Sequence, residues 1–269
     1  MRGTSQGVRP PLALGIAPLD ARLGGGLQAG CIHEISGPTG DAAAAGFAAT
    51  LLGLFSGRGP VAWIAARRAR LHAPGLAALG LDPRRLLLVE APRAAERAWA
   101  FEEALRSGIP AAVLAEIEDP GFVGSRRLQL AAGSGTTGLL LAQGRTPASP
   151  SAARSRWRVA SARSAPRIAG VAGATESEDR ALALAIGPGA PRWRVELRRG
   201  PDATSGAWTI ECGSQGLRLA EAAPQDATDF AGKTGDADRG RRQASRAAAA
   251  QADPLPLVPV PAARQARAR

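Results

Sequence analysis

Apolar residues fall in short runs along the first half of the chain, and stretches of helical period separate them. Gly30 to Ile35 reads as a strand, Ser36 to Gly40 as a tight glycine-containing turn, and Asp41 to Leu54 as a helix of small and apolar residues that Asp41 can cap. Val61 to Ala65 is a second strand, a helical stretch leads up to Leu79, and Leu86 to Val89 is a third strand. Within Ala94 to Ser107 the residues Ala98, Phe101 and Leu105 recur at helical spacing, after which Ala111 to Ala115 returns to strand pattern. Alternation of this kind predicts an α/β fold, a mostly parallel sheet covered by helices on both faces.

Further along, the period changes to two. Trp193, Val195 and Leu197 alternate with Arg192, Arg194, Glu196 and Arg198, so one strand face is buried and the other charged. Trp208, Ile210 and Cys212 repeat the alternation beyond a Gly200-Pro201 turn signal, which predicts a C-terminal antiparallel hairpin. From Glu221 onward the only bulky apolar residues are Phe230, Leu255, Leu257, Val258 and Val260, too few to offset the entropy of ordering the segment. The expected organisation is a flexible N-terminus over 1–11, one domain over 12–220 and a disordered tail over 221–269.

The 269 residues carry 34 basic and 23 acidic side chains, a net charge of +11. The surplus is local: residues 121–200 hold 13 basic and 4 acidic residues, whereas 1–120 are nearly balanced at 12 and 11. Two cysteines, Cys31 and Cys212, with His33 and His72 beside them, provide neither a disulfide framework nor metal-ligand spacing, so no metal site is expected. No apolar run approaches the roughly 20 residues of a membrane span, and no secretory signal is evident, so a cytoplasmic protein without membrane partners is expected.

A strand, a glycine-rich turn and a helix form the setting in which backbone N–H groups cradle phosphates. Here the turn is Gly37-Pro38-Thr39-Gly40-Asp41-Ala42-Ala43-Ala44. Together with Gly15-Ile16-Ala17-Pro18-Leu19-Asp20, Leu23-Gly24-Gly25-Gly26-Leu27, Leu79-Gly80-Leu81-Asp82-Pro83 and Ala104-Leu105-Arg106-Ser107-Gly108, it resembles the RecA-like ATPase family over roughly residues 12 to 145. The catalytic positions depart from that family. In the pattern G-x-x-x-x-G-K-[ST], Ala42 stands at the second glycine, Ala43 at the lysine and Ala44 at the Mg²⁺-binding hydroxyl. The resemblance puts the water-orienting glutamate near Arg67 and leaves only Glu116 at the metal-carboxylate position. Without these groups nothing stabilises the charge of phosphoryl transfer, so no catalytic residue and no cofactor are expected; whether nucleotide still binds stays open. The Gly232-Lys233-Thr234 string lacks a preceding strand and a first glycine, and it carries no function.

Three further segments narrow the resemblance. Arg127-Leu128-Gln129-Leu130-Ala131-Ala132-Gly133, Gly138-Leu139-Leu140-Leu141 and Ser151-Ala152-Ala153-Arg154-Ser155-Arg156-Trp157-Arg158-Val159 make the chain similar to the ImuA family, RecA-related members of a bacterial mutagenesis cassette. That resemblance implies an accessory role in SOS-type, damage-induced translesion synthesis. It implies partners too: the Y-family-like adaptor and error-prone C-family polymerase of the cassette, with RecA as a further candidate.

Between Pro120 and Thr175 there is no acidic residue, while Arg126, Arg127, Arg145, Arg154, Arg156, Arg158, Arg163 and Arg167 fall inside. RecA-like proteins carry mobile DNA loops after the metal-carboxylate strand and after the next strand, here after Glu116 and Leu141. The stretch from Gly144 to Ser155, rich in Pro, Ser and Ala, is expected to be an exposed loop. Arg126, Arg127, Arg145, Arg154, Arg156 and Arg158 are therefore candidates for single-stranded DNA contact. The competing reading makes Arg156 and Arg158 the outer face of a strand whose inner face holds Trp157 and Val159. Trp63, Trp157, Trp193 and Trp208 are expected in the core, Trp99 on the surface, and Gln143 near an idle γ-phosphate sensor position. Two other functional classes fit the same residues: a DNA-stimulated ATPase, and a regulator binding a recombination or cell-division protein.

Overall fold

The computed structural model describes residues 10–67, 71–142, 150–164, 189–201, 205–213 and 216–220. Its strands are β1 (Ile32–Ser36), β2 (Val61–Ala65), β3 (Leu86–Glu90), β4 (Ala112–Ile117), β5 (Thr137–Ala142), β6 (Ser155–Ala162), β7 (Arg192–Arg199), β8 (Gly206–Gly213) and β9 (Gly216–Leu219). They form one sheet in the order β3-β2-β4-β5-β1-β6-β7-β8-β9. Neighbours from β3 through to β6 are parallel, and those from β6 to β9 are antiparallel. The predicted α/β class and C-terminal hairpin are present, and the hairpin is extended by β9 and tied to the parallel half through β6.

The helices are α1 (Ala17–Arg22), α2 (Ala43–Phe55), α3 (Ala73–Ala78), α4 (Ala94–Ser107) and α5 (Gly121–Ala132). One apolar cluster joins α2 to Ile35, Trp63, Leu114, Leu139, Trp157, Val195 and Ile210. Phe47 of α2 stands with its ring centroid 6.0 Å from those of both Trp157 and Trp193. The absence of a side chain at Gly46 makes this approach feasible, since a Cβ there would come within 3.1 Å of the Trp193 ring. On the other face, α4 and α5 bury Ile32, Ile64, Val113 and Leu140, and this second cluster ends at Ala153. Among the described residues, strands β6–β9 therefore have apolar cover on one side only.

Helix α4 is marked at both ends. Glu96 Oε2 accepts a hydrogen bond from the Arg93 N–H at 3.3 Å, and Gly108 closes the helix at φ +65°. Three expectations need correction. Helix α2 begins at Ala43 and not at Asp41, which stands just outside it and caps it by accepting from the Ala43 N–H. The stretch after Glu116 is not a long loop, since β4 ends at Ile117 and α5 begins at Gly121. Residues 150–155 are not an exposed loop either: Ser151, Ala153 and Ser155 are buried, and the Arg154 N–H donates to the Ile32 carbonyl at 2.7 Å as the chain enters β6. The expected flexible N-terminus through residue 9 and the tail from 221 lie outside the described residues, as do Gln143, Arg145 and Arg167.

Candidate functional site

The glycine turn leaves β1 and enters α2 in close contact with β6. A Cβ on Gly37 would sit 2.6 Å from the Val159 carbonyl oxygen and 2.9 Å from the Ala44 Cβ, so only glycine allows the turn to lie this flat. Gly40 adopts φ +83°, a left-handed conformation that glycine reaches without strain. Asp41 then turns its carboxylate back onto the turn. Oδ1 accepts from the Ala43 N–H at 2.8 Å and from the Ser161 hydroxyl at 2.6 Å, and Oδ2 accepts from the Ser161 N–H at 2.8 Å. Partial desolvation works against the charged form, but the hydrogen bonds from the Ser161 hydroxyl, the Ser161 N–H and the Ala43 N–H outweigh it and hold the carboxyl below its ordinary value. A carboxylate of the chain itself thus stands at the α2 N-terminus, where free N–H groups and the helix dipole favour an anion. Ala43 and Ala44 are buried in the core and bring neither a cation nor a hydroxyl to the turn.

Glu116, near the end of β4, is buried with both carboxylate oxygens engaged. Trp63 Nε1 donates to Oε1 at 3.2 Å and the Ala66 N–H to Oε2 at 3.4 Å. Behind it lies Arg97, a buried cation that sequence reasoning passed over. It donates from Nε to the Glu116 carbonyl at 2.7 Å and from one terminal nitrogen to the carbonyls of Ala91 and Pro92 at 3.0 and 2.8 Å. Arg67 is exposed just beyond β2. Among the described residues no three His, Cys, Asp or Glu side chains come together as a metal site, and no helix is long and apolar enough to cross a membrane.

Between β1 and β6 runs a buried polar relay. Trp157 Nε1 donates to the Ser155 hydroxyl oxygen at 2.7 Å, and that hydroxyl lies 2.7 Å from His33 Nδ1. His33 Nε2 is 2.9 Å from the Gln28 carbonyl, an acceptor, so the proton belongs on Nε2 and Nδ1 accepts from Ser155. Burial pushes the imidazole down to about 4 against the pull of the Gln28 hydrogen bond, and the charge of Arg154 adds to the lowering.

The candidate arginines separate into two groups. Arg126 and Arg127 are exposed on α5, and Arg127 pairs with Glu102 of α4 at 2.8 Å. Arg154 is exposed at the start of β6. Arg156 and Arg158 stand on one face of that strand with Trp157 and Val159 buried on the other, as the competing reading had it, and Arg156 pairs with Glu34 at 3.2 Å. Strand register joins them to arginines that were not candidates. Arg158 lies opposite Glu196, which pairs with Arg198 at 2.8 Å and Arg194 at 3.7 Å; Glu211 pairs with Arg192 at 2.7 Å and with Arg218. The charged alternation of β7 was visible in the sequence, but its adjacency to Arg156 and Arg158 depends on a pairing between distant segments. Of the tryptophans, Trp63, Trp157 and Trp193 are buried, Trp208 is partly buried against the core and Trp99 is 67% exposed.

No family model matches the chain. Two curated relatives, each called Protein ImuA, come from Caulobacter vibrioides strains NA1000 / CB15N and ATCC 19089 / CIP 103742 / CB 15. Each is 38% identical to this chain over 224 residues, covering 77% of this chain and 85% of the relative.

Proposed function

Because the chain belongs to the ImuA family, we propose that it serves damage-induced mutagenesis as a non-hydrolysing accessory protein of translesion DNA synthesis, acting through protein contacts and a weak contact to single-stranded DNA. The observation that carries the non-hydrolysing part is the Asp41 carboxylate bound to the Ala43 N–H, where an ATPase of RecA-like design would receive a phosphate. A second anion there would meet like charge at short range. Ala43 offers no cation to offset that repulsion, and Glu116 is already held by Trp63 and Ala66. RecA-like architecture is supported by the glycine turn following β1, the central strand of the nine-stranded sheet, with β3-β2-β4-β5 parallel on one side of it. The partners this reading implies are the Y-family-like adaptor and the error-prone C-family polymerase of the cassette, with RecA as a further candidate.

The test is phosphate release by the purified chain with Mg²⁺ and ATP, with and without single-stranded DNA. No release above background is expected. Steady turnover that Glu116→Ala abolishes, in a variant that still melts cooperatively, would overturn the reading. Pull-down of the adaptor or polymerase by the tagged chain tests the partner assignment.

A further inference from the structure

The side of the sheet that carries α4 and α5 is bare of helices over β6–β9 among the described residues, and the apolar cluster beneath those helices stops short of β6. Alternation along the strands puts six arginines on this bare face: Arg156, Arg158, Arg192, Arg194, Arg198 and Arg218. Three carboxylates accompany them: Glu34 and Glu211 are buried and Glu196 is partly buried, each beside the arginines it pairs with. Among the described residues the face therefore carries six cations to three anions. At its centre Glu196 has Arg158 opposite it on β6 and Arg194 and Arg198 two residues away on β7, three guanidinium groups around one carboxylate. Arg158 feels the crowding: partial burial and, after it, the charge of Arg198 disfavour its protonated form, with Glu196 opposing.

We propose that this arginine-lined face binds the sugar-phosphate backbone of single-stranded nucleic acid, with Arg158, Arg194 and Arg198 at its centre. The inference gives a location to the DNA contact of the proposed function and rests on that contact, not on the absence of ATP turnover. Guanidinium forks held in place by shared carboxylates lose little entropy when they take up a phosphate, and arginine presents paired donors to it. Same-face residues repeat about every 6.8 Å along a strand, and neighbouring strands lie about 4.8 Å apart, a spacing that offers cations to successive phosphates of an extended strand.

Composition separates this ligand from an acidic protein. Apart from charged groups, the described positions on the face are small residues such as Ala160, Ala162, Ala207 and Thr209. Protein interfaces draw their affinity from large apolar or aromatic anchors, and the described residues of the face supply none. The same lack of aromatic rings leaves nothing for bases to stack on, so binding is expected to be indifferent to sequence.

The experiment uses the full chain and an end-labelled oligo(dT), followed by fluorescence anisotropy across a salt series, with melting curves for every variant. Arg158→Gln/Arg198→Gln removes two cations while leaving Glu196 its Arg194 partner. If each contributes one phosphate contact, binding weakens roughly 60-fold at about 50 mM salt, and the slope of log K against log salt falls by about 1.4. Ala160→Glu, which adds a carboxylate beside Arg194 without removing a contact, is expected to weaken binding in the same direction and decides the matter if the double variant does not fold. Arg126→Gln/Arg127→Gln on α5 is expected to bind like wild type. Loss of binding only in the α5 variant would overturn the location and leave the DNA contact standing. A wild-type chain that does not bind at low salt would overturn both. Displacement of oligo(dT) by poly-glutamate as effective as by unlabelled oligo(dT) would replace nucleic acid with an acidic protein as the ligand.

Discussion

Asp41→Ala removes a side chain that ties the glycine turn to β6. Its carboxylate accepts three hydrogen bonds, from the Ala43 N–H and from the Ser161 N–H and hydroxyl, at 2.6 to 2.8 Å. Loss of the bond to the helix N-terminus costs about 1 kcal/mol, as for other capping residues. The two bonds from Ser161 are charge-assisted and in a buried setting would add about 3 kcal/mol, but the carboxylate is largely open to water, so solvent screening and re-hydration reduce their share to about 1 kcal/mol. The expected loss is about 2 kcal/mol, or a melting temperature lower by about 4–8 °C for a domain of this size. The hydrogen bonds depress the Asp41 pKa on folding, so its contribution is present above the unfolded carboxylate value and is lost as pH falls through the folded one. The gap between wild type and Asp41→Ala, measured by urea denaturation, should therefore be full at neutral pH and narrow below about pH 4. Identical urea midpoints at neutral pH would mean that the turn is held by something else, and the argument that Asp41 occupies an anion position would fail with it.

Trp157→Ala empties a site filled against Phe47 and also breaks the relay to Ser155, so a loss of about 3–5 kcal/mol is expected, read as a collapsed thermal transition or an insoluble product. Glu116→Gln replaces an acceptor facing the Ala66 N–H with an amide donor, and a loss of about 1–3 kcal/mol by urea denaturation is expected. His33 is neutral and buried with its pKa lowered to about 4, so between that value and about 6.5 the unfolded chain binds the extra proton; stability should fall by about 1 kcal/mol per pH unit on acidification through this window, and His33→Gln should flatten that slope.

The sequence and the structure agree most closely where the signal is local. Val61–Ala65 and Ala94–Ser107 stand at their predicted bounds, since an uninterrupted apolar run and a helical stripe each declare themselves within one element. The glycine turn between β1 and α2 was legible for the same reason. What filled it was not: Asp41 and Ser161 are 120 residues apart, and nothing at either position announces the other. The stretch entering β6 shows the opposite failure. Pro, Ser and Ala suggest an open loop, yet Ser151 and Ser155 are buried because backbone and indole donors satisfy their hydroxyls, a circumstance composition does not record. The arginine face was half visible, as a charged strand in one place and an acid-free segment in another, and only the β6–β7 register makes one surface of them.

Strand β1 lies between β5 and β6, and this position governs when the molecule can assemble. As the chain leaves the ribosome, Ile32–Ser36 comes out about a hundred residues ahead of its two neighbours, which begin at Thr137 and Ser155. At about 5–20 residues per second, a strand so placed waits roughly 5–20 s for its first partner, with both hydrogen-bonding edges unpaired. The central strand of the finished sheet is thus the longest-exposed strand of the nascent one. Two of its polar residues, His33 and Glu34, face no water once folded. During the wait they interrupt an otherwise apolar run, and replacing both with isoleucine or valine should leave the chain more prone to aggregate as it is synthesised than when refolded from urea.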